Sequence, residues 1–231
     1  MDSLSPGGAE RQREYQCVDF DNDMPGWTQT VSGGGELWRS SAMARSPAYS
    51  LRSGLQPATD GAATIAWSDV GAQTIQSISA SVAIAPDLQD WFIPPPPDGV
   101  KLFCVAAGTN TTCLYYTLNG HPFSDSELYT GIYIEWVYIG QGAVRDRCRP
   151  SVKDLTNLVW NTVTLTVNPN TGAIDTVING VSATPGCTAS RSASGAVATV
   201  TVGASTTGSA CNNKCAYWKG YFDDIVAIVR R

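Results

Sequence analysis

Histidine is almost missing from this chain: among 231 residues there is one, His121. Any Ser-His-Asp triad would have to pass through that imidazole, which sits in the turn-like stretch Asn119-Gly120-His121-Pro122, and the chain has no Gly-x-Ser-x-Gly elbow to carry the serine. His121 therefore reads as an exposed loop residue. The seven cysteines contain no Cys-x-x-Cys pair, so the zinc-site pattern fails as well. Charge is scarce at 15% of residues, and 15 Lys and Arg against 20 Asp and Glu leave a formal net charge of -5. The basic residues are scattered, which excludes the clustered positive surface that nucleic acid requires. No run approaches the roughly 20 apolar residues that cross a bilayer as a helix, and the N-terminus lacks the apolar stretch of a signal peptide. Helical periodicity is nearly absent too; only Ser151 to Asn157, "SVKDLTN", suits a short turn of helix, with Ser151 as its cap. No solenoid or propeller repeat is present.

What the chain has instead is alternation. In "WNTVTLTVNPNTGAIDTVING", Trp160 to Gly180, Val163, Leu165 and Val167 fall on one face of a strand and Thr162, Thr164 and Thr166 on the other. Ile174, Thr176 and Ile178 repeat the pattern after a reversal at Pro169 to Gly172, so the stretch is a β-hairpin. Similar short runs begin at Tyr15, Tyr49, Ala62, Ile75, Gly99, Cys113, Gly131, Gly195 and Gly220, with Gly, Pro, Ser or Asn between them. About a dozen strands in a chain of this length pack as two antiparallel sheets in one domain, 15–231, behind a polar tail or linker, 1–14. The four prolines of "WFIPPPPDG", Trp91 to Gly99, cannot donate to a ladder and make a stiff surface connector.

The cysteines point to an oxidising compartment. If Gly108 and Thr109 form a two-residue turn, Cys104 and Cys113 stand opposite each other on neighbouring strands. Cys211 and Cys215 bracket a tight loop, Cys148 and Cys187 remain to pair over a longer distance, and Cys17 is left over. Three disulfides imply a secreted protein, or one tethered at the cell surface through a segment removed from its N-terminus.

The hairpin, with its Trp, Thr-Gly turn and terminal Asn-Gly, resembles the signature hairpin of laminin-G-like jelly rolls in the concanavalin A-like lectin/glucanase superfamily. The ending "GYFDDIVAIV" resembles that family's closing strand, and "CVDFDNDMPGW", "GGGELW" and "ARSPAYSLRS" its opening in bacterial secreted or lipoprotein members. The resemblance spans Cys17 to Val229 and implies a two-sheet jelly-roll sandwich. It also implies that the first and last strands lie side by side, bringing Asp19 or Asp21 near Asp223 or Asp224, an oxygen set for a structural Ca²⁺. An EF-hand reading of "DFDND" fails, because Met24 stands where the loop needs Gly and Thr30 where it needs Glu.

Some relatives of this kind are enzymes. A glycosidase needs two carboxylates about 5 to 10 Å apart, and "GIYIEWVYIG" supplies only Glu135, with Asp125 and Glu127 upstream in a loop. A polysaccharide lyase would use His and Tyr as base and acid, with Arg against the uronate; its strand motifs are not apparent. Sugar binding asks for aromatic faces and a few polar groups. Tyr115, Tyr133 and Glu135 share one sheet face if their strands are neighbours, and Trp91 is a second candidate. The sequence thus points to an extracytoplasmic module that binds glycan or cell-surface polysaccharide, with an enzyme using Glu135, or a purely structural domain, as alternatives.

Overall fold

The computed structural model describes residues 13–18, 20, 24–55, 61–71, 73–87, 99–120, 129–139, 143–152, 154–183, 195–206 and 218–231. Within them are fifteen strands and no helix: β1 Arg13–Val18, β2 Trp27–Ser32, β3 Gly35–Ser40, β4 Ser50–Leu55, β5 Ala62–Val70, β6 Ser77–Asp87, β7 Val100–Ala107, β8 Asn110–Gly120, β9 Tyr129–Ile139, β10 Ala143–Cys148, β11 Asn161–Asn168, β12 Ala173–Ile178, β13 Val181–Ser182, β14 Val197–Ser205 and β15 Trp218–Arg230. They form two wholly antiparallel sheets. The first runs β13-β12-β11-β6-β15-β4-β3 and the second β10-β9-β8-β7-β14-β5-β2. Strand β15 pairs along its length with β6; its other edge is shared by β4, from Trp218 to Phe222, and β1, from Ile225 to Arg230. First and last strands therefore do lie side by side.

The alternation read from the sequence is what closes the core. Val163, Leu165, Val167, Ile174, Thr176 and Ile178 are all buried, facing the second sheet's Val105, Leu114, Tyr116, Ile132, Ile134, Trp136 and Val200. The hairpin turn is tied by Asn168, whose Oδ1 accepts the N–H groups of Asn170 and Thr171 at 3.0 and 3.1 Å. The terminal Asn179-Gly180 is a second turn, with φ of 52° and 81°, that returns the chain from β12 to β13. This positive pair is the geometry of a type I′ hairpin, which Asn-Gly adopts at little cost.

The segment 151–157 is not helical where it is described. Its polar groups go elsewhere. Tyr116, whose phenol is pushed up by burial and by the Asp154 carboxylate, hydrogen-bonds Asp154, and Asp154 Oδ1 also accepts the N–H of Leu155, a core residue. The Asn161 side chain accepts the Thr156 N–H at 3.3 Å and donates to the carbonyls of Thr156 and Val159 at 3.1 and 2.7 Å. With these groups satisfied by side chains, nothing is left to drive an i to i−4 ladder.

Candidate functional site

Strands β7 to β10 turn one face to the core and the other outward. On the outward face lies a separate apolar cluster of Cys104, Cys113, Tyr115 and Tyr133. The turn at Gly108-Thr109, with Gly108 at φ 60°, sets Cys104 directly opposite Cys113, and the two are disulfide-bonded. The backbone register then aligns Cys104, Cys113, Glu135 and Arg147 in one cross-strand row, and Lys101, Tyr115 and Tyr133 in the next. Neighbours in such rows are within reach of each other.

The contacts follow from that placement. The rings of Tyr115 and Tyr133 stack with centroids 4.9 Å apart and planes 13° from parallel. The Tyr115 hydroxyl donates to Glu135 Oε1 at 2.9 Å, and Arg147 Nε donates to Glu135 Oε2 at 2.7 Å. Lys101 Nζ stands 5.8 Å from the Tyr115 ring centroid, and the Arg147 guanidinium carbon 5.7 Å from that of Tyr133, both within cation–π range. Tyr115, Tyr133 and Glu135 are buried, while Lys101 and Arg147 are partly exposed. The tyrosines and the carboxylate form a floor, and the two cations stand over it.

Tyr115, Tyr133 and Glu135 were expected on one face and are brought together there. Sequence reasoning missed Lys101 and Arg147. Strict alternation from Val105 and Phe103 puts Lys101 in the core; a bulge between Lys101 and Phe103 buries both Leu102 and Phe103 and turns Lys101 outward beside Cys104. Arg147 sits on β10, "AVRDRC", whose charged residues gave no strand signal. Both oxygens of Glu135 are already engaged, and among the described residues of β7 to β10 it is the one carboxylate on the outward face. Trp91, His121, Asp125 and Glu127 lie outside the described residues.

Of the other expected positions, Asp19, Asp21, Cys187, Cys211 and Cys215 also lie outside the described residues. Cys148 is disulfide-bonded and Cys17 is an exposed free thiol. Asp223 Oδ1 accepts the Ser46 hydroxyl at 3.1 Å and the Asp224 N–H at 2.9 Å, and Oδ2 accepts the N–H groups of Arg45 and Ser46 at 2.9 and 3.2 Å. Asp224 pairs with Arg45 at 3.5 Å. A carboxylate has about four lone-pair sites. Those of Asp223 are filled, three by donors of Arg45 and Ser46 that pin segment 45–46 across the sheet and one by the N–H of Asp224, an arrangement that does not fit a Ca²⁺ ligand, and no group of three or more His, Cys, Asp or Glu suited to a metal occurs among the described residues.

Comparison with protein-family models and with curated proteins gives no match. Solved structures do share the fold. An endo-β-1,4-glucuronan lyase from the fungus Trichoderma reesei superposes with a TM-score of 0.61 at 13% identity, covering 94% of this chain and 95% of that one. A cellulose-induced protein gives 0.55 at 12% identity over 92% and 96% of the two chains. An alginate lyase gives 0.54 at 14% identity over 92% and 96%, and a variant of it with a lysine and a tyrosine replaced was solved with alginate tetrasaccharide. The chain shares the two-sheet antiparallel sandwich fold of these proteins.

Proposed function

We propose that the outer face of the second sheet binds an acidic polysaccharide built of uronate sugars. The observation that carries this is the placing of two cations, Lys101 and Arg147, over the stacked Tyr115 and Tyr133, with one carboxylate beneath them. A uronate chain brings one carboxylate per ring, which the guanidinium and the ammonium match, while the buried tyrosines and Glu135 hold those two cations in place. The rings' own faces are taken by each other and by the cations, so recognition begins at the charges. Solved proteins of the same fold act on glucuronan and on alginate, both polyuronates. The Cys104–Cys113 bridge on the same face fits an extracytoplasmic location, secreted or at the cell surface.

The test is calorimetric titration of polyglucuronate and alginate, with a neutral glucan as control. Lys101→Ala and Arg147→Ala are each expected to weaken polyuronate binding about tenfold, with affinity falling as salt rises. Equal binding of neutral and acidic chains, or variants that bind like the wild type, would overturn the proposal.

A second reading places β-elimination at the same face, favoured by the glucuronan lyase's near-complete mutual coverage. Arg147 would neutralise the uronate carboxylate; Tyr115, its phenolic proton passed to Glu135, would take the C5 proton and return it to the C4 oxygen as the C4–O bond breaks and the C4=C5 bond forms. Unsaturated uronate ends, followed by ultraviolet absorbance and abolished by Tyr115→Phe, would establish turnover. Binding with no product would leave a lectin-like module.

A further inference from the structure

The opposite face of the sandwich carries a row that the reading above does not use. Trp38 on β3, Arg52 on β4 and Tyr221 on β15 are direct cross-strand partners. The guanidinium carbon of Arg52 lies 4.8 Å from the Trp38 ring centroid and 5.6 Å from that of Tyr221, so the cation is held between an indole and a phenol. Arg45, Arg147 and Arg231 each have a carboxylate, from Asp224, Glu135 and Asp69. Arg52 has none among the described residues; its Nε is buried without a hydrogen-bond partner, and its Nη groups are not among the buried nitrogens. This is a guanidinium oriented by two aromatic walls, part-exposed and with no carboxylate partner among the described residues.

The surroundings define what anion fits. Strand β3 is the last of its sheet among the described strands, so none of them covers the side of Trp38 turned away from Arg52, and the residue is 37% exposed. In the adjoining row Gly54 stands between Glu36 and Lys219, and its missing side chain lowers the surface beside Arg52. A sugar can therefore lie against the exposed edge of the indole, on the solvent side of Arg52, with its ring carboxylate meeting the guanidinium. A carboxylated pyranose offers both an apolar C–H edge and an anion, and a small inorganic anion offers only the second.

We propose that Trp38 and Arg52 form a second site for a uronate sugar, on the outer face of the first sheet and independent of the Tyr115 and Arg147 face. It shares a ligand class with the function proposed above and none of its residues. Two sites on opposite faces would let one molecule bridge two polyuronate chains.

The experiment titrates oligoglucuronate into the whole protein by calorimetry and by NMR of the indole N–H groups, with cello-oligosaccharide as the neutral control. The wild type should show two sites, with the Trp38 indole resonance shifting at one of them. Trp38→Ala and Arg52→Gln should each weaken that site about tenfold or more and leave the other unchanged, and Arg52→Lys should fall between, since it keeps charge without the fork. Arg147→Ala should do the reverse. Near-ultraviolet circular dichroism matching the wild type confirms that the variants fold. A single site removed by Arg147→Ala and untouched by Trp38→Ala and Arg52→Gln would overturn this inference and leave the proposed function standing; the converse would overturn that function and leave this site. No binding by the wild type, or cello-oligosaccharide binding as tightly as oligoglucuronate, refutes the second site outright.

Discussion

Replacing Glu135 with glutamine alters one atom in the middle of the outward-face network. Glu135 is 2% exposed, and its buried charge is compensated by the Tyr115 hydroxyl at 2.9 Å and Arg147 Nε at 2.7 Å. Glutamine keeps an oxygen for Tyr115 but turns an amide N–H toward Arg147 Nε, so two donors face each other. Removing one partner of a fully buried ion pair costs about 3–5 kcal/mol, and losing a charged hydrogen bond about 1.5–3 kcal/mol. The Arg147 side chain is 19% exposed. Water recovers part of its hydrogen bonding, which places Glu135→Gln at about 2 kcal/mol, or about 4–8 °C in Tm for a chain of this length. Thermal unfolding followed by near-ultraviolet circular dichroism measures the shift. A double-mutant cycle with Arg147→Met isolates the pair, with a coupling of about 1 kcal/mol expected. A Glu135→Gln Tm indistinguishable from wild type, or a coupling near zero, would refute the claim that this pair holds the site together.

Three further outcomes follow from the same reasoning. Peptide mapping of unreduced protein should recover Cys104 linked to Cys113, and the Cys104→Ala/Cys113→Ala variant should lose about 2–3 kcal/mol, the chain-entropy value for a loop this short; free thiols at both positions would contradict the compartment argument. Asn161→Ala should lose about 2–3 kcal/mol, because one buried amide serves Thr156, Val159, Ile84 and Asn179; a neutral result would mean that water replaces it. Burial pushes the Asp223 carboxyl up from its ordinary value near 3.8, with the N–H groups of Arg45, Asp224 and Ser46 pulling it back down. A raised folded-state pKa gives stability that is full below the unfolded value and lost as pH rises through the folded one. The stability of the wild type relative to Asp223→Asn should therefore fall across that window, and a rise would refute the direction.

The fold was legible because period-2 burial leaves its mark on every long strand. Val163, Leu165 and Val167 could face only one core, and Asn179-Gly180 could only be a tight turn. Strands β2 and β10 were not read as strands, and β3 was read as one only through the resemblance of "GGGELW" to opening strands, since β2 and β3 are edge strands with mostly exposed or half-exposed side chains and β10 is rich in charge. The 151–157 segment misled because Ser151 resembles a cap, whereas its polar groups are used by the nearby Asn161 side chain and by Tyr116 from a distant strand. In the candidate site, the residues on regular strands, Tyr115, Tyr133 and Glu135, were found by counting in twos. Lys101, which depends on a departure from that count, was not.

Departures of this kind have a common cause. In β7 unbroken alternation from Val105 through Phe103 would drive the Lys101 ammonium into the core, and in β15 unbroken alternation from Phe222 would do the same to Asp224. In each strand the register shifts at that point, between Lys101 and Phe103 and between Asp223 and Val226. After the second shift the inward set changes from Trp218, Gly220 and Phe222 to Ile225, Ala227 and Val229, with Asp224 at φ 47°. An unpaired buried charge costs more than one irregular residue in a ladder, so the bulge is the cheaper solution. It also shapes the two faces, because the first bulge places Lys101 over Tyr115, and the second leaves Asp223 and Asp224 outward to hold Arg45 and Ser46 against the first sheet. A charged residue at an inward count within an otherwise apolar strand is thus a signal in its own right. It marks where the strand must bulge, and which side chain the bulge turns out to the surface.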